Sequence, residues 1–120
     1  MIRTTYRMIS IGEKERLLID FYDEKYELLS TFLETEVASF EDWIKADFDA
    51  VLSGEYVQRI INGNICHVEI GPETTKVYNE LIEDDEEYYR TCCEVNTKEL
   101  RQLIDEWCEK YHEFKRKQSK

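Results

Sequence analysis

The stretch NTKELRQLIDEWCEKYHEF, residues 96–114, predicts a long amphipathic helix. Its apolar side chains recur at steps of three and four residues, which places them in one stripe along the helix. The stripe comprises Leu100, Leu103, Ile104, Trp107, Tyr111 and Phe114. Asn96 is the expected N-cap, and Glu99, three residues later, would complete a capping box. Because such a helix is stabilised by packing its stripe on an apolar surface, the rest of the chain must supply that surface.

Strands with short turns are predicted in the forty residues before this helix. Four strands are expected, over residues 55–61, 64–70, 74–82 and 88–95. The pair Asn62-Gly63 favours a type I′ hairpin turn, in which both central residues have positive φ. Consecutive strands joined by short loops pair antiparallel. The residues expected on the inner face are Cys66, Val68, Ile70, Val77, Leu81, Tyr89, Thr91, Cys93 and Val95.

A second amphipathic helix is predicted over SFEDWIKADFDAVL, residues 39–52. Ser39 is its expected N-cap, and Gly54 would end it, since glycine tolerates a left-handed backbone. Its predicted buried stripe comprises Phe40, Trp43, Ile44, Phe48 and Val51. The predicted fold class is therefore α+β, an antiparallel β-meander sheet packed by two amphipathic helices. Residues 1–120 suit a single domain, with a basic, frayed tail over residues 115–120.

The N-terminal third has two interpretations. Strands are predicted over residues 3–11 and 16–22 around a turn at Gly12, and a further strand over residues 26–33 would make residues 16–33 a second hairpin. The same stretch, from residue 13 onward, also fits one helix, because several of its residues recur near a period of 3.6. Those residues are Leu18, Phe21, Tyr22, Lys25 and Leu29. The β-forming aromatic residues favour the hairpin.

Cysteine usage and hydropathy favour a reducing compartment. No apolar run approaches the ~18 residues of a membrane span, and the first ten residues lack the apolar core of a signal peptide. The four cysteines have no CxxC spacing, so we expect reduced thiols. Adjacent Cys92 and Cys93 would point to opposite faces of a strand, which prevents them from pairing or sharing a metal. We therefore expect a cytoplasmic protein.

The net charge of −11 limits the choice of partner. An acidic protein repels nucleic acids and anionic membranes. It attracts a basic protein and speeds the encounter with it. Solubility alone would also explain an acidic composition. Residues 115–120 carry four of the sixteen Lys and Arg residues, so the remainder of the chain is more acidic than the total indicates.

The sequence contains no catalytic or cofactor motif that we recognise. Its four glycines lie singly in turns, so no phosphate-binding loop is predicted. A serine nucleophile needs a histidine base, but His67 and His112 are better explained as solvated or half-buried side chains. Cys108 and His112 lie four residues apart on one helix and could share a metal if Cys66 or His67 converged on them. We expect no enzyme activity, no metal and no cofactor.

A run of acids at residues 83–87 is the most distinctive charged segment. It lacks the glycine and the alternating oxygen ligands of a calcium-binding loop. It is either a solvated loop between strands or a contact patch for the lysines and arginines of a partner. Acids beside tyrosines favour the second interpretation, since tyrosines anchor many protein interfaces. The residues predicted to bind a partner are Glu83, Asp84, Asp85, Glu86, Glu87, Tyr88, Tyr78, Glu69 and Glu94.

Three segments in this order resemble a known family. They are SFEDWIKADFDAVLSGE (39–55), GNICHVEIGPETTKVYN (63–79) and EVNTKELRQLIDEWCEKYHEF (94–114). Together they resemble small bacterial immunity proteins of polymorphic-toxin and contact-dependent growth inhibition systems. The likeness covers residues 36–114 and depends on structural residues such as Trp43 and Trp107. It therefore implies a fold and a role, and no particular binding residue.

The resemblance implies that the chain is an antitoxin. A cell that makes a toxin needs a cytoplasmic inhibitor that binds the toxin domain and blocks its active site. Such toxin domains are often nucleases, which are basic because their substrate is anionic. The expected partner is therefore a cognate toxin domain, and not a nucleic acid or a membrane. Two alternatives remain: an acidic adaptor or nucleic-acid mimic, and a small enzyme that uses Glu69, Glu94 and the acidic run.

Overall fold

Two antiparallel sheets and four α-helices build the part of the chain that the computed structural model describes, residues 2–118. Strands β1 (Thr4–Ile11) and β2 (Lys14–Phe21) form a hairpin. The second sheet comprises β3 (Arg59–Asn62), β4 (Cys66–Ile70), β5 (Thr74–Asn79) and β6 (Cys93–Asn96). The helices are α1 (Leu28–Thr31), α2 (Ala38–Leu52), α3 (Asp85–Arg90) and α4 (Thr97–Gln118), with a 3₁₀ turn at Glu24–Tyr26 and a π-helical segment at Phe32–Val37. The predicted α+β class is confirmed.

The four-stranded sheet is the predicted meander. Its strands lie in the order β3-β4-β5-β6, and each pairs antiparallel with the next. Alternate residues of a strand point to one face, and here one face is buried beneath the helices. The buried residues of this inner face are Cys66, Val68, Ile70, Thr75, Val77, Cys93 and Val95. All but Thr75 were predicted to point inward.

Helix α4 packs its apolar stripe into the core as predicted. The Asn96 side chain accepts the Glu99 N–H at 3.0 Å, which confirms the N-cap. Tyr111 is half-buried, and the other members of the stripe are buried. The helix continues through Gln118, so the basic residues 115–117 form its last turn, where cations favour the negative end of the helix dipole. Residues 119 and 120 of the predicted tail lie outside the described residues.

Residues 24–37 are helical, so the strand predicted over residues 26–33 is wrong. The predicted hairpin around Gly12 does form. The alternative helix is therefore correct for the second half of the ambiguous stretch, and wrong for residues 14–21. The buried positions give the reason, because they recur at steps of three and four residues, which is the period of a helix. These positions are Leu29, Phe32, Leu33, Glu36 and Val37.

The β1–β2 hairpin is attached to the helices through Ile19, which is buried. The Ile19 N–H donates to Glu34 Oε2 at 2.9 Å, and Ser30 Oγ donates to the Ile19 carbonyl oxygen at 2.7 Å. The ring of Tyr6 also stacks on Trp107 of α4, with centroids 6.4 Å apart. The hairpin is thus an added layer over the helices, separate from the meander.

Helix α2 begins without the predicted cap at Ser39. It continues directly from the π-helical segment, and no side chain caps its start. Phe40 has φ −130° and ψ 37°, which breaks the helical turn. Phe40 departs from the helical path here, and Trp43 lies beside the buried stripe, so these two residues, predicted to be buried, are 41% and 76% exposed. The rest of the predicted stripe, Ile44, Phe48 and Val51, is buried.

The β3–β4 turn differs from the type I′ turn predicted at Asn62-Gly63. Neither residue has a positive φ. The Gly63 N–H donates to the Cys66 carbonyl oxygen at 2.9 Å, which leaves Asn64 and Ile65 as the two turn residues. The hairpin was therefore predicted correctly, but its turn lies two residues further along the chain.

Gly63 is required by a close approach and not by its φ. Glu36 is 1% exposed, and its carboxylate accepts the N–H groups of Asn64 (3.0 Å), Ile65 (3.0 Å) and Cys66 (2.9 Å). A methyl group at position 63 would overlap that carboxylate. A buried carboxylate is tolerated when hydrogen bonds replace its hydration. The turn and the Glu36 carboxylate therefore depend on each other.

Helix α3 replaces the first residues of the fourth predicted strand, and a turn replaces the last residues of the third. β5 ends at Asn79 and β6 begins at Cys93, so both strands are shorter than predicted. The acidic run starts α3 and is not an extended loop, because Asp84 Oδ2 accepts the Glu87 N–H at 2.9 Å and acids favour the positive end of a helix. The remaining residues predicted to point inward are exposed, namely Leu81, Tyr89 and Thr91.

Within residues 2–118, no helix is both long enough and apolar enough to cross a membrane. All four cysteines are free thiols; three are buried, and Cys92 is half-buried. Each buried cysteine occupies a position in the apolar core, so these thiols act as small hydrophobic side chains.

Replacing Gly63 by alanine tests its contact with Glu36. The added methyl group must displace the carboxylate from three backbone N–H groups, so we expect the free energy of unfolding to fall by about 3 kcal/mol in urea denaturation. Gly12→Ala is the control, because Gly12 has a positive φ but no atom within 4 Å of an added Cβ. Its expected cost is about 1 kcal/mol. Equal losses in the two variants would contradict a role for the carboxylate.

Candidate functional site

The outer face of the four-stranded sheet gathers the predicted binding residues of the strands. Strand register aligns its side chains in two rows. One row comprises Ile60, Glu69, Lys76 and Glu94, and the next comprises Asn62, His67 and Tyr78. Glu69 and Glu94 thus lie on either side of Lys76, whose Nζ is 3.8 Å from Glu94 Oε1. The structure therefore brings Glu69, Tyr78 and Glu94 to one face.

Three tyrosines pack together where α3 meets this face. Tyr78 stacks on Tyr88 with ring centroids 5.0 Å apart, and Tyr89 contacts both rings edge-on at 5.8 and 5.1 Å. Tyr78, a predicted contact residue, is only 6% exposed. Its ring therefore packs beneath those of Tyr88 and Tyr89. Tyr89 is 66% exposed, which leaves it as the most accessible ring of the three.

A polar network fixes the tyrosine cluster to the strands. Tyr88 Oη donates to Glu80 Oε1 at 3.0 Å. The His67 ring lies against Tyr78, with centroids 5.7 Å apart. Its Nδ1 is 2.7 Å from Asn62 Oδ1, and its Nε2 is 3.3 Å from Glu69 Oε2. These contacts hold the side chains of the outer face in place, so a partner would meet a preorganised surface.

The acidic run lies beside the tyrosines and is solvent-exposed. Glu83, Asp84, Asp85, Glu86 and Glu87 are all exposed, and the last three occupy the first turn of α3. Tyr88 and Tyr89 follow directly and connect this turn to the sheet. We call the combined surface the acidic tyrosine face. It comprises Glu69, Tyr78, Glu80, residues 83–87, Tyr88, Tyr89 and Glu94.

Burial and the neighbouring acids raise the pKa of two tyrosines of the acidic tyrosine face. The pKa of Tyr88 is raised above its usual value by burial, by its hydrogen bond to Glu80 and by the charge of Glu80. The pKa of Tyr78 is raised by burial and by the charges of Glu69 and its neighbours. The carboxylates that add to the effect of burial would also attract cations, so lysines and arginines are the complementary side chains.

The cysteines and histidines are the other side chains whose surroundings bear on chemistry. Burial raises the pKa of the Cys66, Cys93 and Cys108 thiols to about 12, which leaves almost no thiolate at neutral pH. Among residues 2–118, no group of three His, Cys, Asp or Glu side chains is placed to hold a metal ion. His112 is paired with Glu41 at 2.6 Å, and not with Cys108.

Sequence reasoning missed several residues of the face. Glu80 was placed in the third predicted strand. Tyr89 was placed on the inner side of the fourth, because the start of α3 was not recognised. The signal for it was Asp84 followed three residues later by Glu87, which is a capping pattern. Ile60 and His67 were placed on strands, and Asn62 in the predicted turn. Their alignment with Glu69 and Tyr78 depends on register, which the misplaced turn obscured.

A comparison with known proteins places the chain in a family. An immunity protein of Bacillus cereus is 40% identical to it over 97 residues, which is 81% of this chain and 80% of that protein. The chain belongs to the family of that immunity protein. No family profile and no solved structure match the chain. The bacterial immunity protein inferred from the sequence is thereby confirmed at the level of the family.

Replacing Tyr88 by phenylalanine tests the hydrogen bond to Glu80. Because the pKa of Tyr88 is raised in the folded protein, its proton stabilises the fold fully below the unfolded pKa of 10, and this contribution is lost as pH rises above that value. We expect wild type to lose more stability than Tyr88→Phe between about pH 9 and pH 11, measured by denaturant unfolding. Tyr22→Phe, on the hairpin, is the control. Parallel pH profiles for wild type and Tyr88→Phe would contradict the assignment.

Proposed function

We propose that this chain is a cytoplasmic immunity protein that binds a basic, nuclease-type toxin domain and occludes its active site. The observation that carries the proposal is the acidic tyrosine face, where an exposed acidic run continues into a preorganised aromatic cluster. The toxin would belong to a polymorphic-toxin or contact-dependent inhibition system. The family of the Bacillus cereus immunity protein supports the role, and the charge of the face supports the chemistry of the partner.

Electrostatics favour a nuclease as the target. A nuclease presents lysines and arginines around its active site, because it must bind phosphates. The carboxylates of residues 83–87 would occupy the positions that phosphates take in the substrate. Since the chain has a net charge of −11, long-range attraction would also accelerate association with a basic domain. Inhibition then needs no chemical step, because substrate and inhibitor compete for the same surface.

The tyrosines would supply most of the contact energy. Tyrosine is enriched among the residues that dominate interface energetics, especially where a central anchor is surrounded by a polar rim. Tyr89 is exposed while Tyr78 and Tyr88 support it from beneath, so the anchor loses little conformational entropy on binding. The acids of α3 and of the strands would form the rim around it.

Co-production with the neighbouring toxin tests the function directly. An immunity gene lies directly after the gene of its toxin, so the C-terminal domain encoded upstream is the test partner. We expect cells that produce this domain to grow when this chain is co-produced, and purified chain to bind the domain with one-to-one stoichiometry in calorimetry. Growth arrest despite a soluble, folded chain, together with absence of binding, would contradict the proposal.

Charge reversal of the acidic run tests the face. We expect the variant Glu83→Lys, Asp85→Lys, Glu86→Lys to bind the toxin domain at least about tenfold more weakly, because its lysines repel a basic partner. Asp84 is left unchanged, since its carboxylate caps α3. The matched control is Glu13→Lys, Glu106→Lys, Glu109→Lys, which changes the net charge equally at exposed positions of the hairpin and α4. Equal affinity of the two triple variants would exclude the acidic run as the contact.

Salt provides an independent measurement of the same electrostatics. If opposite charges steer the encounter, the association rate constant falls steeply as salt rises from about 50 to about 500 mM, while the dissociation rate constant changes less. Stopped-flow kinetics with the wild-type chain and the toxin domain would measure both. An association rate constant that is independent of salt would contradict electrostatic steering.

A further inference from the structure

Two exposed aromatic rings on α2 form a second surface, away from the acidic tyrosine face. Trp43 is 76% exposed and Phe40 is 41% exposed. Their rings stack with centroids 6.1 Å apart and an angle of 14° between their planes. One face of the Trp43 indole is therefore covered by Phe40, and the other is open to solvent. The second tryptophan, Trp107, is buried in the core.

The packing that stabilises the fold does not explain why the rings of Phe40 and Trp43 are exposed. Helix α2 is held by Ile44, Phe48 and Val51, which are all buried. Phe40 interrupts the helix with φ −130° and ψ 37°, so its ring is not part of that buried stripe. Large exposed aromatic side chains, above all tryptophan, are the residue type that most often anchors a protein interface. The pair therefore points to a contact with another molecule.

The rings line a groove whose charged groups are mainly acidic. The groove has a volume of about 460 Å³ and is lined by Ala38, Ser39, Phe40, Glu41, Asp42, Trp43 and His112. Glu41 binds Lys45 at 2.8 Å and His112 at 2.6 Å. Asp42 is exposed and makes no hydrogen bond or ion pair within residues 2–118. Among residues 2–118, no cation pairs with Asp42, which lines the same groove as Trp43.

We propose that this aromatic groove receives an arginine side chain of the same basic toxin domain, which makes the inference dependent on the proposed function. Trp is the best ring for a cation–π contact, and arginine can stack on it while its N–H groups bind a carboxylate. The guanidinium would lie on the open face of Trp43 and donate to Asp42. A second copy of this chain does not suit the groove. Two proteins of net charge −11 repel each other, and the contact would bring two acidic grooves together.

One toxin domain can reach both surfaces around the edge of the sheet. Arg59 of the edge strand β3 donates to Asp47 Oδ1 of α2 at 3.0 Å, so this side of α2 lies beside that edge. Trp43 precedes Asp47 by four residues and therefore shares its side of the helix. Ile60, a residue of the outer face, is 52% exposed on the same edge strand, so β3 connects this side of α2 with the outer face. A partner that extends over β3 would contact the groove and the acidic tyrosine face together.

Substitution of Trp43 tests the contact in the complex with the toxin domain. We expect Trp43→Ala to bind at least about tenfold more weakly in calorimetry, and Trp43→Phe to keep part of the affinity, because it retains an aromatic face. Asp42→Asn is expected to weaken binding several-fold. Tyr22→Ala is the control, because Tyr22 is 66% exposed on the hairpin. Far-ultraviolet circular dichroism would confirm that each variant folds.

Fluorescence of the wild-type complex provides a second measurement. Trp107 is buried, so acrylamide quenching of the free chain reports mainly on Trp43. We expect the toxin domain to reduce that quenching. A double-mutant cycle then identifies the occupant: the affinity loss of Trp43→Ala should disappear in the variant of the toxin domain that lacks the stacked arginine.

The outcomes separate this inference from the proposed function. Absence of binding by the wild-type chain would overturn both. Wild-type binding with unchanged affinity of Trp43→Ala and unchanged quenching would overturn this inference alone. Loss of affinity that couples to no arginine of the toxin domain would overturn the assigned occupant. A dimer of the free chain in sedimentation equilibrium that Trp43→Ala abolishes would show that the groove binds a second copy, which also overturns it.

Discussion

A buried carboxylate ties the helical layer to the sheet. Glu36 lies in the π-helical segment, at 1% exposure, and accepts three consecutive backbone N–H groups of the β3–β4 turn. Without these hydrogen bonds the charge would be left in the core, at a cost of several kcal/mol. The contact fixes the position of the turn, and the turn fixes the register of β3 on β4. Register in turn aligns Ile60, Glu69, Lys76 and Glu94 in one row.

That alignment explains how residues far apart in sequence form one outer face. The inner face of the meander is closed by apolar side chains and by α4, so its outer face is free for polar groups. Helix α3 adds Tyr88 and Tyr89 over Tyr78 and places the acidic run at the rim. Acids at the rim and rings at the centre are the arrangement expected of a surface that meets a basic protein. The aromatic groove on α2 also places acidic side chains beside aromatic rings, over a smaller area.

Local sequence patterns predicted an element correctly where a single periodic signal was strong. The stripe and cap of α4 were predicted correctly because an apolar period of 3.6 leaves no competing interpretation. The inner-face residues of β4 and β6 were predicted from their alternation. Residues 26–33 were assigned to a strand because aromatic residues favour strands, but the burial of Phe32, Leu33 and Glu36 together requires a helix. Phe40 and Trp43 were assigned to the core because the break of the helix at Phe40 cannot be read from spacing.

The sequence by itself determined the fold class, the two main helices, the meander, the acidic character and the family resemblance, because these depend on periodicity, composition and local order along the chain. It also identified the acidic run and Tyr88, which are contiguous. Only the tertiary structure decided that Glu69, Glu80 and Glu94 share a face with the tyrosines, that Gly63 makes room for a carboxylate, and that Trp43 is exposed. These depend on register and on contacts between distant segments, which no local pattern encodes.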